Sequence, residues 1–308
     1  MAFSPERSLV LTSSENLLEK EKARAADPLK VNSAPTWTRR NEIFTENHTL
    51  AINLVDGTIQ TRGWFPLNCP TIFRQDVTGI VAAIGHNVTR FKIGNRVIGH
   101  GVGMATKQNQ HMGFQSYTVV QTNMASELPD DMTFEKAAVI PLGYSTAASE
   151  LFQGEFLNLQ MLTELKRKDP GKKLLVWGGA DSVWGNAMKV LEASQVFDYH
   201  SPTVCDDLVA AFKGKTIAGV FDCIGGAATA VCTDVVHKST SDKFVTTTRS
   251  RFPTPPEGLG IKHIFRTSIK GNEVGKTMCK DFLPTVLKAR TFVPALEPLV
   301  VGKGLDTA

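Results

Sequence analysis

The chain has 308 residues, 42% of them hydrophobic and 21% charged, with 34 Lys+Arg against 30 Asp+Glu for a net charge of +4. That length is comfortable for two domains and supports a sizeable core. The mild positive charge is spread without a basic run, which argues against nucleic-acid binding and still favours approach of an anionic cofactor or a phosphorylated carrier arm. No stretch reaches the roughly 18 apolar residues of a membrane span. Met1 to Lys30 scatters Glu6, Arg7, Glu15, Glu19 and Lys20 with no apolar core before a cleavage site, so it does not read as a secretory signal. The expectation is a cytoplasmic protein. Its five cysteines (Cys69, Cys205, Cys223, Cys232, Cys279) are odd in number, lack C-x-x-C spacing, and read as reduced thiols.

Residues 1–27 are polar and helix-prone, Leu17 to Ala26 above all, and read as a loose leader. From there the texture becomes short strand-like runs broken by turns. Glu42 to Thr45 and His48 to Ile52 read as strands, and Val77 to Ile84 alternates before Gly85-His86-Asn87. Phe91 to Gly99 reads as turn then strand, and Gln115 to Val120 as another strand. Many short strands with glycine turns predict a β-rich domain over 28–145. Near Thr133 the period changes. A helix starts at Phe134 under a Thr133 cap, Pro141-Leu142-Gly143 interrupts it, and Tyr144 to Phe156 continues as a longer helix. Leu159 to Pro170 reads as a polar linker.

The pattern then turns to strand, glycine turn, helix. Lys173 to Trp177 is a buried-strand candidate running into Gly178-Gly179. Strand Gln195–Tyr199, helix Val204–Phe212, strand Ile217–Ile224, helix Ala227–Val236 and strand Lys243–Thr247 follow. Such alternation predicts a parallel sheet with right-handed crossovers over 146–293, with the domain boundary near residue 145.

The run Gly178-Gly179-Ala180-Asp181-Ser182-Val183-Trp184-Gly185 lies between a strand and a helix, where a dinucleotide pyrophosphate would meet free backbone N–H groups. Glycines there are also plain turn residues. Asp181 puts a carboxylate where an anion would bind, and Trp184 is bulky for a helix packing on a sheet. The interval to the next strand is short for a complete unit of strand, helix and strand. No G-x-S-x-G elbow occurs. Cys223 reads as a small buried residue rather than a nucleophile, and the seven histidines are scattered.

Taken together, these segments resemble the fungal zinc-free medium-chain reductases, which include the trans-acting enoyl reductases of polyketide synthase clusters. The resemblance runs from Leu29 to Leu305. It is carried by Ala51 to Asp56, Asp76 to Gly79, Val88 to Val97, Ala137 to Ala148, Leu175 to Val183, Ala193 to Ser201, Phe221 to Gly226 and Glu297 to Gly304. It implies an α/β protein: a GroES-like β-rich catalytic domain, a Rossmann-type doubly wound parallel sheet, and a last segment, 294–308, returning to the first domain. It implies NADPH as cofactor and no zinc. The family's cofactor contacts fall on Val55, Asp56, Gly57, Thr58, Thr146, Ala180, Asp181, Ser182, Val183, Tyr199, Ile224 and Gly225, beside the Gly178-Gly179 turn. Its substrate-lining stretch falls on Pro141, Leu142, Gly143, Tyr144, Ser145, Thr146, Ala147 and Ala148. Tyr144 and Ser145 could donate a proton in the cleft. A packing role suits Tyr144 equally, and water often serves as the acid in such enzymes.

The sequence also departs from the family. Trp184 stands where a glycine is usual, and Ala180 and Asp181 where serines are usual. Leu54 and Gly57 replace a proline and a tryptophan. The second strand and helix of the Rossmann unit, which hold the adenosine 2′-phosphate, are missing, and the chain stops at Ala308 before the family's final helix and strand. Where related alcohol dehydrogenases carry a zinc ligand set, this chain reads Arg74-Gln75-Asp76, without His. The resemblance implies a reductase of a small-molecule or carrier-bound enoyl substrate, working as monomer or homodimer beside a polyketide synthase, with no nucleic acid and no membrane. The alternative is a non-redox member that binds a polyketide-type ligand as scaffold or cyclisation aid.

Overall fold

The computed structural model describes residues 7–11, 30–33, 40–63, 65, 67, 70–161, 171–178, 194–292, 294 and 297–305. The chain divides into two compact units, Met1–Leu142 with Glu297–Ala308, and Gly143–Leu296.

The first unit is antiparallel. Strands β1 (Arg7–Leu11), β2 (Lys30–Ser33) and β4 (Thr71–Ile72) form a small sheet in the order β2-β1-β4. Arg7–Leu11 is a strand within the stretch 1–27 that reads as a leader, the rest of which lies outside the described residues. Strands β3 (Glu42–Leu50), β5 (Asp76–Ile84), β6 (Arg96–His100), β7 (Tyr117–Gln121) and β8 (Ala125–Glu127) form a five-stranded sheet in the order β7-β3-β5-β6-β8. The two runs expected at Glu42 and His48 are one strand, bent where its register against β5 shifts between Asn47 and Thr49. Alternating side chains from these strands (Ile43, Val77, Val81, Val97, Val120) make a core with Phe91 of the β5–β6 connection. Helix α1 (Leu54–Arg62) was not expected, because Gly57 and the threonines are poor helix formers. Its start is set by Asp56, whose carboxylate accepts from the Asn53 N–H at 2.9 Å. Helix α2 is the short Gly103–Thr106 turn. Helix α3 (Phe134–Ala138) begins under Thr133, whose hydroxyl accepts from the Lys136 N–H at 3.3 Å, as expected. Pro141 does not interrupt a helix but opens α4 (Pro141–Phe152), in keeping with the first-turn position where a missing N–H costs nothing.

The second unit holds a four-stranded parallel sheet in the order β12-β11-β10-β9, made of β9 (Lys172–Trp177), β10 (Thr216–Asp222), β11 (Phe244–Thr247) and β12 (Gly260–His263). Helices α5 (Val204–Ala211) and α6 (Ala227–Lys238) follow the predicted spans closely. Leu208, Cys232, Val235 and Val236 pack with Ile217, Val220 and Val245 as the core between helices and sheet. Short helices α7 (Glu273–Lys276) and α8 (Leu283–Lys288) complete the unit. The strand expected at Gln195–Tyr199 is absent. That segment is irregular and exposed, with Val196 and Tyr199 facing solvent. β-Branched and aromatic residues give it strand character, but among the described residues no strand lies beside it to bury them against. In a doubly wound sheet the second and third strands lie beyond the first. Among the described residues nothing occupies that place, and β9 is outermost.

Candidate functional site

Two places in the molecule concentrate functional side chains, one in each unit. In the second, neighbouring parallel strands β9 and β10 end together, with Trp177 opposite Asp222. Beyond β9 the chain turns at Gly178, whose φ of +98° is the left-handed region that favours glycine. A Cβ there would stand 2.8 Å from the Ile224 side chain and 3.1 Å from Cys223 Cβ, so the two strand ends close on each other tightly. Beyond β10 the buried Asp222 carboxylate organises the turn. Its Oδ1 accepts from the Ile224 N–H at 3.0 Å and the Gly225 N–H at 2.8 Å, and its Oδ2 from the Thr229 hydroxyl at 2.6 Å. Ile224 is thereby left half-exposed at the rim. The exposed Arg249 lies over Gly225, its Nε donating to the Ile224 carbonyl at 3.2 Å. Asp222 was not singled out in the sequence; its place three residues before a glycine pair was the available signal. Tyr199 is exposed, its ring 3.8 Å from that of His200. Gly179, Ala180, Asp181, Ser182, Val183 and Trp184 lie outside the described residues.

Helix α4 carries the substrate-lining stretch. Pro141, Leu142, Gly143, Tyr144, Ser145, Thr146, Ala147 and Ala148 are all buried. The Tyr144 hydroxyl donates to the Met278 carbonyl at 2.9 Å and its ring meets Phe292 edge-on at 6.0 Å. Burial pushes its phenol well above the ordinary value, with Cys279 adding to the effect. This is the geometry of a packing residue, not of a proton donor. Six residues further on, burial likewise pushes the Glu150 carboxyl well above its ordinary value, and the Thr246 hydroxyl donates to it.

The first unit holds the other place. Val55, Asp56, Gly57 and Thr58 lie on the first two turns of α1, with Asp56 buried and Gly57 exposed. Asp76, at the start of β5, accepts from Asn53 Nδ2 at 2.7 Å and from the Leu142 N–H at 2.6 Å. Close to Asp56 sits Arg74, 6% exposed, its Nε 3.9 Å from Asp56 Oδ2 and its guanidinium 3.6 Å over the Phe114 ring. Burial lowers its pKa to about 10, against the raising influence of Asp56 and Asp76, and it stays charged at neutral pH. Gln75 bridges His100 Nε2 at 3.1 Å and Met104 Sδ at 2.9 Å. Among the described residues no group of three or more His, Cys, Asp or Glu side chains converges as a metal site would require. No helix among those residues is long and apolar enough to cross a membrane.

Known proteins share this plan. Residues 39–130 match the alcohol dehydrogenase GroES-like domain. The chain is 50% identical over 292 residues to the zinc-binding alcohol dehydrogenase domain-containing protein cipB of Emericella nidulans, covering 92% of this chain and 88% of that protein. It is 31% identical over 295 residues to the trans-enoyl reductase himH of Aspergillus japonicus, covering 86% of this chain and 83% of that one. Among solved structures, the Escherichia coli quinone oxidoreductase complexed with NADPH has the same fold, with a TM-score of 0.66 at 17% identity over 93% of this chain and 89% of that one. Parallel sheet, GroES-like strands and these relatives agree, and the chain belongs to the medium-chain dehydrogenase/reductase family of oxidoreductases, in the branch that holds fungal dehydrogenases and trans-enoyl reductases.

Proposed function

We propose that the protein is an NADPH-dependent reductase of an activated carbon–carbon double bond, acting on an enoyl group carried by a polyketide synthase. The observation that supports this most is the pair of turns at the ends of β9 and β10. A doubly wound sheet takes its dinucleotide outside the carboxyl ends of adjacent strands at the point where strand order reverses. Gly178 and the Asp222-held Ile224-Gly225 turn give such a rim, its glycines packed closely by Ile224 and Cys223 at Gly178 and by Arg249 at Gly225. Gly178, Ile224 and Gly225 would hold the nicotinamide half. NADPH, when bound, supplies a hydride with its electron pair. The chain's own work is to fix the acceptor carbon against that donor and to stabilise the charge that develops on the substrate. With Tyr144 tied to a backbone carbonyl, solvent water is the proton source.

The test is fluorescence titration of the full chain with NADPH, then NADPH oxidation with crotonyl N-acetylcysteamine thioester. Saturation below about 1 mM and thioester-dependent oxidation are expected. Absence of saturable binding would sink the reading. A second reading, a non-redox binder of polyketide-type ligands, is favoured by the outermost position of β9 among the described residues, where the adenosine side of a complete sheet would continue. Ligand binding without any NADPH affinity would select it.

A further inference from the structure

At the carboxyl ends of β10 and β11, three consecutive side chains reach across to three consecutive residues. The Thr247 hydroxyl donates to Asp222 Oδ2 at 3.4 Å, the Thr248 hydroxyl to the Cys223 carbonyl at 2.8 Å, and Arg249 Nε to the Ile224 carbonyl at 3.2 Å. The last of these closes a clamp. The peptide group between Ile224 and Gly225 gives its N–H to Asp222 Oδ1 at 2.8 Å and receives Arg249 on its carbonyl, so it is fixed from both sides. The Arg249 stem runs over Gly225. A Cβ on that glycine would stand 2.0 Å from Arg249 Cγ and 2.6 Å from its Cβ, and Gly225 has φ +74°, so a side chain at 225 would strain the turn and push the stem away. Arg249 is nevertheless exposed. Among the described residues no carboxylate pairs with it, and its two terminal nitrogens meet no acceptor. An exposed arginine ordinarily keeps its rotamer freedom; this one gives much of it up and leaves its fork open. Arg251, two residues on, is the contrast: it is exposed and hydrogen-bonds to nothing among the described residues.

We propose that Arg249 is a phosphate-binding residue of the cofactor rim, its two terminal nitrogens donating to phosphate oxygens of a dinucleotide bound at the ends of β9 and β10. This rests on the reductase reading above, which sets a dinucleotide at that rim. The chemistry of the group selects the ligand. A guanidinium fork matches two oxygens of one phosphate, and charged bidentate pairs of this kind are the strong ones. Gly178, Ile224 and Gly225 carry no charge, and the carboxylate of the turn, Asp222, is buried and faces inward to two backbone N–H groups and a hydroxyl. An approaching phosphate therefore meets a cation, with the acid of the turn screened behind its own hydrogen bonds. Because the clamp already holds the side chain, little of its freedom remains to be lost on binding. The phosphate has two sources within a dinucleotide: the diphosphate bridge, which NADH and NADPH share, and the 2′-phosphate, which NADPH alone carries.

The experiment titrates the full chain with NADPH and with NADH, and separately records its melting temperature with sodium pyrophosphate, for wild type, Arg249→Gln, Arg249→Lys and Arg251→Gln. Arg249→Gln should weaken NADPH binding about 10- to 100-fold, the size of a lost hydrogen bond to a charged group. Arg249→Lys, which keeps the charge without the fork, should lose less. Arg251→Gln, the same loss of charge two residues away, should bind as wild type does. An equal loss for NADH assigns the diphosphate bridge, and a loss confined to NADPH assigns the 2′-phosphate. Pyrophosphate should raise the melting temperature of wild type and Arg251→Gln more than that of Arg249→Gln. Should Arg249→Gln fail to fold, Arg249→Lys carries the comparison. Wild-type affinity in the Arg249 variants, or equal weakening by Arg249→Gln and Arg251→Gln, would overturn the proposal and leave the reductase reading in place. If no form binds either dinucleotide while pyrophosphate stabilises wild type through Arg249, the reductase reading falls and the phosphate site stands. If wild type responds to none of the three ligands, both fall.

Discussion

At the end of β10 one carboxylate holds a whole turn. Asp222 is fully buried and receives two backbone N–H groups and a hydroxyl. Asp222→Ala would leave those donors in the interior without an acceptor, at about 1–3 kcal/mol for each buried group left unpaired. We expect a loss of about 3 kcal/mol in urea unfolding, together with weaker NADPH binding. The stretch from Phe221 to Gly226 was recognisable in the sequence, and its glycines marked the turn. Which side chain does the holding was not, because a lone acid beside a strand has the same letters whether it faces solvent or backbone. Arg74 shows the same limit. Arg74-Gln75-Asp76 reads in the sequence only as a stretch without His, yet the left-handed backbone and the stacked guanidinium are facts of φ and contact that no spacing rule carries.

Among the elements, β3 and β5 approach each other closely at Gly79. A Cβ on Gly79 would lie 1.8 Å from the Glu46 carbonyl oxygen, and backbone cannot step aside as a flexible side chain can. Gly79→Ala should cost about 3 kcal/mol or more and lower the melting temperature visibly. Helix α4 and strand β11 supply a pH dependence. The buried Glu150 carboxyl has its folded pKa raised well above the ordinary value, first by burial and then by Asp222, the Thr246 hydrogen bond opposing both. The folded state therefore binds a proton that the unfolded state releases above the ordinary carboxyl range. Stability contributed at this site is complete at low pH and is lost as pH rises from that range through the raised value. Melts of wild type should fall with pH across that window, and Glu150→Gln should flatten the slope; an unchanged slope would show that other groups set it. Elements with strong periodicity, such as β5, β10 and α6, were legible. Gln195–Tyr199 was misread because a strand needs a neighbour as well as a composition. Helix α1 was unread, although Asn53 followed three residues later by Asp56 offered half of a capping box.

On the scale of the whole molecule, the change from a β-rich to an alternating texture was visible along the sequence, because period 2 and alternating α/β patterns are collective signals that survive local exceptions. The sheet order was not, since it depends on which strands are present to pair. Cofactor binding should register globally: NADPH at a hundredfold excess over its dissociation constant would stabilise the protein by about 2.7 kcal/mol, readable as a rise in melting temperature, and no rise would argue for the non-redox reading. The division of the chain has a further consequence. The backbone enters the second unit after Leu142 and rejoins the first at Glu297, so the second unit is an insertion within the first. Domains fold as they leave the ribosome, amino-terminal parts leading. Here a nascent polypeptide arrested after Leu296 would hold a fully synthesised second unit while the first still awaited its closing residues, and the order of synthesis and the order of completion run opposite to each other.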